Sequence, residues 1–192
     1  SDTIMNIAKN PKIDESKIAL IGGSRGGGLV LNLASRFDHF NAVIAMSTSN
    51  VSFPAITWSA NTSSWTYKGK EIPYVPATLK TISPALKGDI YTAHKIMLED
   101  KEASKKAEIQ VENINGAILI LSGKNDDQWP ASEMSDQLIK RLKSKDFKYY
   151  NEHIKLDGGH IAPLEHFNLV YDFLDKHLPT EVTKPVAKTV YN

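Results

Sequence analysis

Residues 18–28 read Ile-Ala-Leu-Ile-Gly-Gly-Ser-Arg-Gly-Gly-Gly, an apolar run that ends in a cluster of glycines. Directly behind it, Leu29, Val30, Leu33, Ala34 and Phe37 recur at three-to-four spacing, the period of a helix with one buried face. A buried strand that passes through a glycine turn straight into a helix is half of a βαβ unit. It commits the chain to parallel strand pairing. The remaining segments agree. Continuous apolar runs predict strands at 17–21, 42–46, 116–121 and 149–156. Helices are predicted at 26–37, over the charged stretch 88–107, and behind Pro130, where Met134, Leu138 and Leu142 share a face. A closing helix carries Phe167, Val170, Tyr171 and Leu174, and a weak opening helix over 2–10 is stopped by Pro11. Strands without polar alternation are buried on both faces, so the predicted class is α/β, a parallel sheet flanked by helices.

The glycine turn also carries chemistry. Gly22-Gly23-Ser24-Arg25-Gly26 is a G-x-S-x-G pattern, the nucleophile elbow of α/β-hydrolases. In such an elbow the serine takes a strained backbone conformation, and Gly22 and Gly26 are needed because a side chain at either position would clash with neighbouring backbone. The hydroxyl of Ser24 then stands at the carboxyl end of its strand. The backbone N–H of Arg25, at the start of the following helix, faces a developing oxyanion. Two other glycine motifs are excluded. No Gly-Lys-Ser/Thr follows, as a phosphate-binding loop needs, and the spacing breaks G-x-G-x-x-G. The competing reading is a glycine-rich turn with an incidental serine. The side chain of Arg25 has two readings of its own, a contact to a substrate anion or a solvated residue at a helix start.

A serine needs a base to take its proton and an acid to orient the base, in this fold in the order Ser, Asp or Glu, His. The third strand runs into Ser122-Gly123-Lys124-Asn125-Asp126-Asp127, which places an acid just past a strand end. Asp126 is the expected acid, with Asp127 the adjacent alternative and a solvated turn the chemically silent one. The fourth strand ends in Gly158-Gly159-His160, and of the six histidines only His160 follows a strand end directly. His39 and His94 lie elsewhere, His153 inside the strand, His166 and His177 in the last helix. No H-E-x-x-H or similar spacing points to a metal, and no cofactor is expected.

Composition narrows the classes. With 41% hydrophobic and 23% charged residues the chain has the make-up of one globular domain. A net charge of +1 gives no electrostatic case for nucleic acid, and no apolar run reaches the ~20 residues of a membrane span. With no cysteine, thiolate catalysis and thiolate metal sites are excluded, while the compartment stays open, the cytoplasm being slightly favoured. Residues 1–5 lack the basic and apolar regions of a signal peptide. The expected organisation is a catalytic domain over 1–179, with a lid-like insert over about 48–115 and a tail over 180–192. The early part of the insert is rich in Ser, Thr and Pro, with a hairpin predicted near 65–71.

The chain resembles the carboxyl-terminal catalytic domain of the acyl-CoA thioesterase and bile acid-CoA:amino acid N-acyltransferase family, a branch of the α/β-hydrolases near dienelactone hydrolase. Beyond the elbow, the resemblance rests on Trp65-Thr66-Tyr67-Lys68-Gly69-Lys70-Glu71-Ile72-Pro73, Gly123-Lys124-Asn125-Asp126-Asp127-Gln128-Trp129 and Gly158-Gly159-His160. It implies Ser24 as nucleophile, Asp126 as orienting acid and His160 as base, acting on an acyl thioester. Family members that transfer acyl groups tend to carry Cys at the elbow, so Ser24 implies hydrolysis. A carboxylesterase or peptidase of the dienelactone hydrolase type, and a non-catalytic binding module of the same fold, are the alternatives. Lys101, Lys105 and Lys106 read as a solvated helix face in preference to a contact for CoA phosphates.

One feature of this fold is not matched. Several strands normally precede the elbow strand, and one supplies a second oxyanion donor. Only a weak helix precedes residue 17, and no amino-terminal β-sandwich of the family is present. The expectation is therefore a fragment whose elbow strand lies at a sheet edge, prone to self-association. Loss of one oxyanion donor costs about 10²–10³ in turnover, so weak activity of the isolated chain is expected.

Overall fold

The computed structural model describes residues 2–57 and 61–179; the predicted tail over 180–192 lies outside the described residues. Four parallel strands form one sheet in the order β1-β2-β5-β6: β1 (Ala19–Gly23), β2 (Ala42–Met46), β5 (Ala117–Gly123) and β6 (Asn151–Leu156). The register is continuous across the first three, with Ala19 opposite Ala42 and Ala42 opposite Ala117. The two central strands, β2 and β5, are buried at every position, whereas β1 and β6 are only partly covered. This is the consequence of their apolar sequences: both faces of a central parallel strand must be dry.

Alternation along the strands divides the core in two. Val43, Ala45, Ile118 and Ile120 point to the face covered by α2 (Arg25–Ala34) and α6 (Ala131–Ser144), where they meet Val30, Leu31, Leu138 and Leu142. Ala42, Ile44, Met46, Leu119 and Leu121 point to the other face, where α7 (Phe167–His177) brings Val170 and Phe173. The chain crosses the sheet in one direction, so right-handed crossovers put α2 and α6 on the same side. Only the closing helix remains to cover the other. It packs over β2 and β5 and leaves Ile21 of β1 half exposed. Among the described residues no strand pairs with the outer edge of β1.

Helix α7 corrects one expectation. Tyr171 is 62% exposed, and Phe173, not Tyr171, fills the stripe with Val170. A helix that rests on two strands buries a narrow face, and Tyr171 falls on its flank beside Phe167. Helix α2 ends at Ala34, one turn before the predicted Phe37. The opening helix α1 is confirmed at Asp2–Ala8.

The segment between β2 and β5 is built, not merely long. It holds the predicted hairpin, β3 (Thr66–Tyr67) with β4 (Lys70–Glu71). It also holds α3 (Leu79–Leu86), in a stretch whose composition gave no helix signal. The predicted helical region 88–107 divides into α4 (Ile90–Met97) and α5 (Lys101–Lys106), because Asp89 and Asp100 each cap a new helix by accepting from Thr92 N and Ala103 N. The insert has its own core, where Phe53, Val75 and Met97 pack with Trp129 and Met134 of the β5–α6 region. Its end is tied to α6 by Arg141, which donates to both Glu112 oxygens and to Glu108 at 2.6 Å.

The bidentate pair holds the Glu112 carboxyl below its ordinary range, chiefly through the hydrogen bonds from Arg141. A carboxylate with a lowered folded pKa contributes stability above the unfolded value of 4.5 and loses it as pH falls through the folded value. Arg141→Met is therefore expected to cost about 1 kcal/mol at neutral pH. Urea denaturation should show that this difference shrinks below about pH 4.5.

Candidate active site

The turn between β1 and α2 places Ser24 at φ 56°, ψ −126°, a positive φ on a residue with a side chain. The strain is held by backbone on both sides: Ser24 N donates to Met46 O of β2 at 2.8 Å, and Gly27 N donates to Ser24 O at 3.0 Å. A Cβ on Gly22 would lie 2.3 Å from Gly26 O, so glycine is required there. The expected clash at Gly26 is absent, since a Cβ there would meet nothing within 4 Å. Gly27 is the second position that needs glycine, because its Cβ would press on Thr48 Cβ at 2.9 Å, where α2 crosses the start of the insert.

The carboxyl ends of β5 and β6 are neighbours in the sheet, and their loops touch. A Cβ on Gly123 would lie 2.0 Å from Gly159 O. Lys124 N donates to Leu156 O, and Asn125 N donates to Gly158 O, both at 2.9 Å. This contact carries Asp126 to His160. His160 Nδ1–H donates to Asp126 Oδ2 at 2.7 Å, which leaves Nε2 as the acceptor for the Ser24 hydroxyl at 2.9 Å. The other Asp126 oxygen accepts from Gln128 N and Trp129 N, and the carboxylate is almost fully buried. Asp127 is exposed and meets Gln128, so of the two it is Asp126 that meets His160.

Two residues that sequence reasoning passed over hold His160. Ser47, at φ 44° just past β2, donates its hydroxyl to His160 O at 2.5 Å. The ring of buried Trp129 stands edge-on to the His160 ring, with centroids 4.8 Å apart, and its Nε1–H donates to Thr48 O. Trp129 was legible only as part of the family-like segment, and Ser47 gave no signal, because its role follows from a contact between residues 113 apart in sequence.

Arg25 settles its two readings in part. Its N–H, the first of α2, has no acceptor inside the helix. Its side chain is not a solvated helix-start group: Nη1 donates to Pro54 O at 2.7 Å and Ser64 Oγ at 3.2 Å, and the guanidinium lies over Phe53 and Trp129.

The sheet holds a second serine–histidine–aspartate chain. Ser122 Oγ lies 2.7 Å from His153 Nε2, and His153 Nδ1 lies 3.0 Å from Asp136 Oδ1, which Lys155 also engages through Oδ2. Ser122 is wholly buried, so no substrate carbonyl can reach it; the cluster ties β5, β6 and α6 together. Among the described residues no group of His, Asp and Glu is placed to hold a metal. A cleft of about 500 Å³ opens between α4, α5 and α6, lined by Lys95, Lys101 and Lys105 with Glu99, Glu108 and Glu133, but Ser24 and His160 do not line it. Lys106 pairs with Glu102 at 2.6 Å and Lys101 caps Leu98 O, as a solvated helix face would.

Residues 1–177 match the model of the family described as BAAT / Acyl-CoA thioester hydrolase C terminal. The chain belongs to this family. It is 29% identical over 145 residues to acyl-coenzyme A thioesterase 1 of Mus musculus, and equally to the mitochondrial acyl-coenzyme A thioesterase 2 of the same organism. These alignments cover 74% of this chain but 32% and 29% of the relatives, so the chain spans about a third of their length. Among solved structures it is similar to an acylaminoacyl peptidase from Pyrococcus horikoshii, with a TM-score of 0.60 and 14% identity over 94% of this chain and 27% of that one. It is likewise similar to the α/β-hydrolase GrgF from Penicillium sp. sh18, with a TM-score of 0.52 and 17% identity over 93% of this chain and 70% of that one. The fold of this BAAT / acyl-CoA thioester hydrolase C-terminal domain is thus the α/β-hydrolase fold. No helix among the described residues is long and apolar enough to cross a membrane.

Two outcomes follow for the site. Gly123→Ala forces the β5 and β6 loops apart, so reaction of Ser24 with a fluorophosphonate should slow by at least about tenfold, the effect of misplacing a base by an ångström. His94, buried between Phe53 and Trp129, has its pKa pushed down to about 4, first by desolvation. A histidine kept neutral in the folded state contributes fully above its ordinary value of 6.5, and that contribution falls as pH drops to about 4. His94→Phe should flatten the loss of unfolding free energy across that window in denaturant titrations.

Proposed function

We propose that this chain is a serine acyl hydrolase that cleaves acyl thioesters, acyl-CoA foremost. The observation that carries the reading is the relay Asp126–His160–Ser24, with contacts of 2.7 and 2.9 Å in the order nucleophilic catalysis needs. The family and its thioesterase relatives support the thioester as the substrate.

In this reading Ser24 Oγ attacks the thioester carbonyl while His160 Nε2 takes its proton. The carbonyl oxygen becomes an oxyanion, held by the Arg25 N–H and the positive end of α2. Asp126 keeps the proton of His160 on Nδ1 and stabilises the imidazolium. As the tetrahedral intermediate collapses, the carbon–sulfur bond breaks and His160 gives its proton to the leaving thiolate. Water, deprotonated by His160, then attacks the acyl-serine, and the acid leaves as the proton returns to Ser24. Trp129 and Ser47 act on this sequence through His160, by fixing its ring and its backbone. The outer edge of β1 is the surface through which the chain would associate with itself.

The test is hydrolysis of a panel of acyl-CoAs and aryl esters by the chain and its variants. Ser24→Ala and His160→Ala should each lower kcat by about 10³-fold or more, and Asp126→Asn by roughly 10²–10⁴-fold, since the last removes the tautomer control alone. A preference for oxygen esters would move the substrate to the carboxylesterase class. Turnover that survives in Ser24→Ala, or failure of a fluorophosphonate to label Ser24, would sink the mechanism.

A further inference from the structure

The side chain next to Ser24 is a cation with no counter-ion among the described residues. Arg25 is partly buried, and desolvation pushes its pKa down. Its hydrogen bonds to described residues leave from Nη1 alone and end on two neutral oxygens, Pro54 O and Ser64 Oγ. No carboxylate among the described residues lies within ion-pair distance. Arg141 is the contrast: it is met by Glu108 and Glu112. A guanidinium removed from water is costly unless it is paired, and a fork with Nε and one Nη still free matches a carboxylate.

The surroundings of Arg25 have the form of a wall. The guanidinium carbon lies 5.6 Å from the Phe53 ring centroid and 6.0 Å from that of Trp129. Trp129 also touches His160, so the cation and the base stand on the same aromatic ring. His94 packs against both Phe53 and Trp129 and is 5% exposed. With Nδ1–H given to Ile90 O, His94 closes the back of this aromatic wall. The sign of a missing ligand is the unpaired cation on the ring that also meets His160.

We propose that Arg25 receives a carboxylate of the substrate, so that this chain prefers esters or thioesters bearing a second, ionised carboxyl group near the scissile bond. The inference rests on the hydrolase reading for its substrate, but the anion site itself does not need turnover. Its free donors would grip the carboxylate, while Pro54 O and Ser64 Oγ hold the guanidinium in place. The hydrogen bonds from Nη1 make Arg25 a strut for the insert as well, and the experiment must separate the two roles.

The p-nitrophenyl monoester of glutarate and p-nitrophenyl valerate differ by the charge at the far end of the acyl group. The valerate ester of a carboxyl-bearing nitrophenol moves the charge to the leaving group. The chain should favour one of the charged substrates over the neutral one in kcat/KM by about tenfold or more, the worth of a charge-assisted pair. The favoured arm tells which side of the scissile bond carries the carboxylate. Arg25→Met should bring that ratio close to one, and Arg25→Lys, which keeps the charge but not the fork, should retain part of it. Direct binding gives the second readout. Monomethyl glutarate should bind to the Ser24→Ala chain at least about tenfold more tightly than methyl valerate, and the added Arg25→Met substitution should erase the difference. No charge preference in either arm, or one that survives Arg25→Met, overturns the proposal. A loss of charged and neutral turnover in equal proportion would mean a strut only. Arg25-dependent binding with no Ser24-dependent turnover would keep the anion site and remove the hydrolase reading.

Discussion

The contact on which the site depends contains no side chain. Gly123 at the end of β5 lies so close to the Gly158-Gly159 backbone that a single Cβ would intrude to 2.0 Å. Because β5 and β6 are parallel neighbours, their carboxyl ends emerge together, and the two loops lace through Lys124 N and Asn125 N before their side chains diverge. Asp126 then sits under His160 without having to reach for it. Parallel pairing of β1 with β2 puts Ser24 at the same edge, held by Met46 O. The relay of three side chains is therefore a product of backbone geometry, which is the least adjustable part of a protein.

The insert between β2 and β5 is joined to this edge by packing, not by pairing. Trp129 belongs to the β5–α6 connection, yet it packs with Phe53 and Met97 of the insert while its ring stands against His160. Arg25 belongs to the helix behind the serine, yet its guanidinium bonds to Pro54 and Ser64 of the insert. Both residues couple the shape of the insert to the position of the reacting groups. A movement of the segment around Phe53 would be felt at His160 and beside Ser24 alike.

Much of this was legible in the amino-acid order. The four strands and the crossover helices follow from apolar runs and helical period, and Ser24, Asp126 and His160 from their places just past strand ends. His153 was set aside because it lies within a strand. The structure shows why that matters: it joins Ser122 and Asp136 in a chain of the same composition, whose serine is sealed inside the sheet. The elbow motif and the strand-end positions separate the two sets in the sequence, and the burial of Ser122 separates them in the structure. What failed were statements about neighbours. Gly26 proved free of contact and Gly27 crowded, because the crowding comes from Thr48, which no local pattern links to α2. Tyr171 turned outward because α7 covers only two strands, and α3 formed in a segment whose Ser and Pro content spoke for a loop.

The sequence by itself determined the class of the fold and the order of its elements, and it singled out Ser24, His160 and the Asp126-Asp127 pair as candidates, since these depend on periodicity and on which residues follow a strand. Only the tertiary structure set Asp126 and not Asp127 against His160, recruited Ser47 and Trp129 to hold His160, and placed Arg25 on an aromatic wall with no counter-ion among the described residues. Those outcomes are contacts between residues far apart in the chain, and such contacts exist only once the sheet has brought its strand ends to one edge.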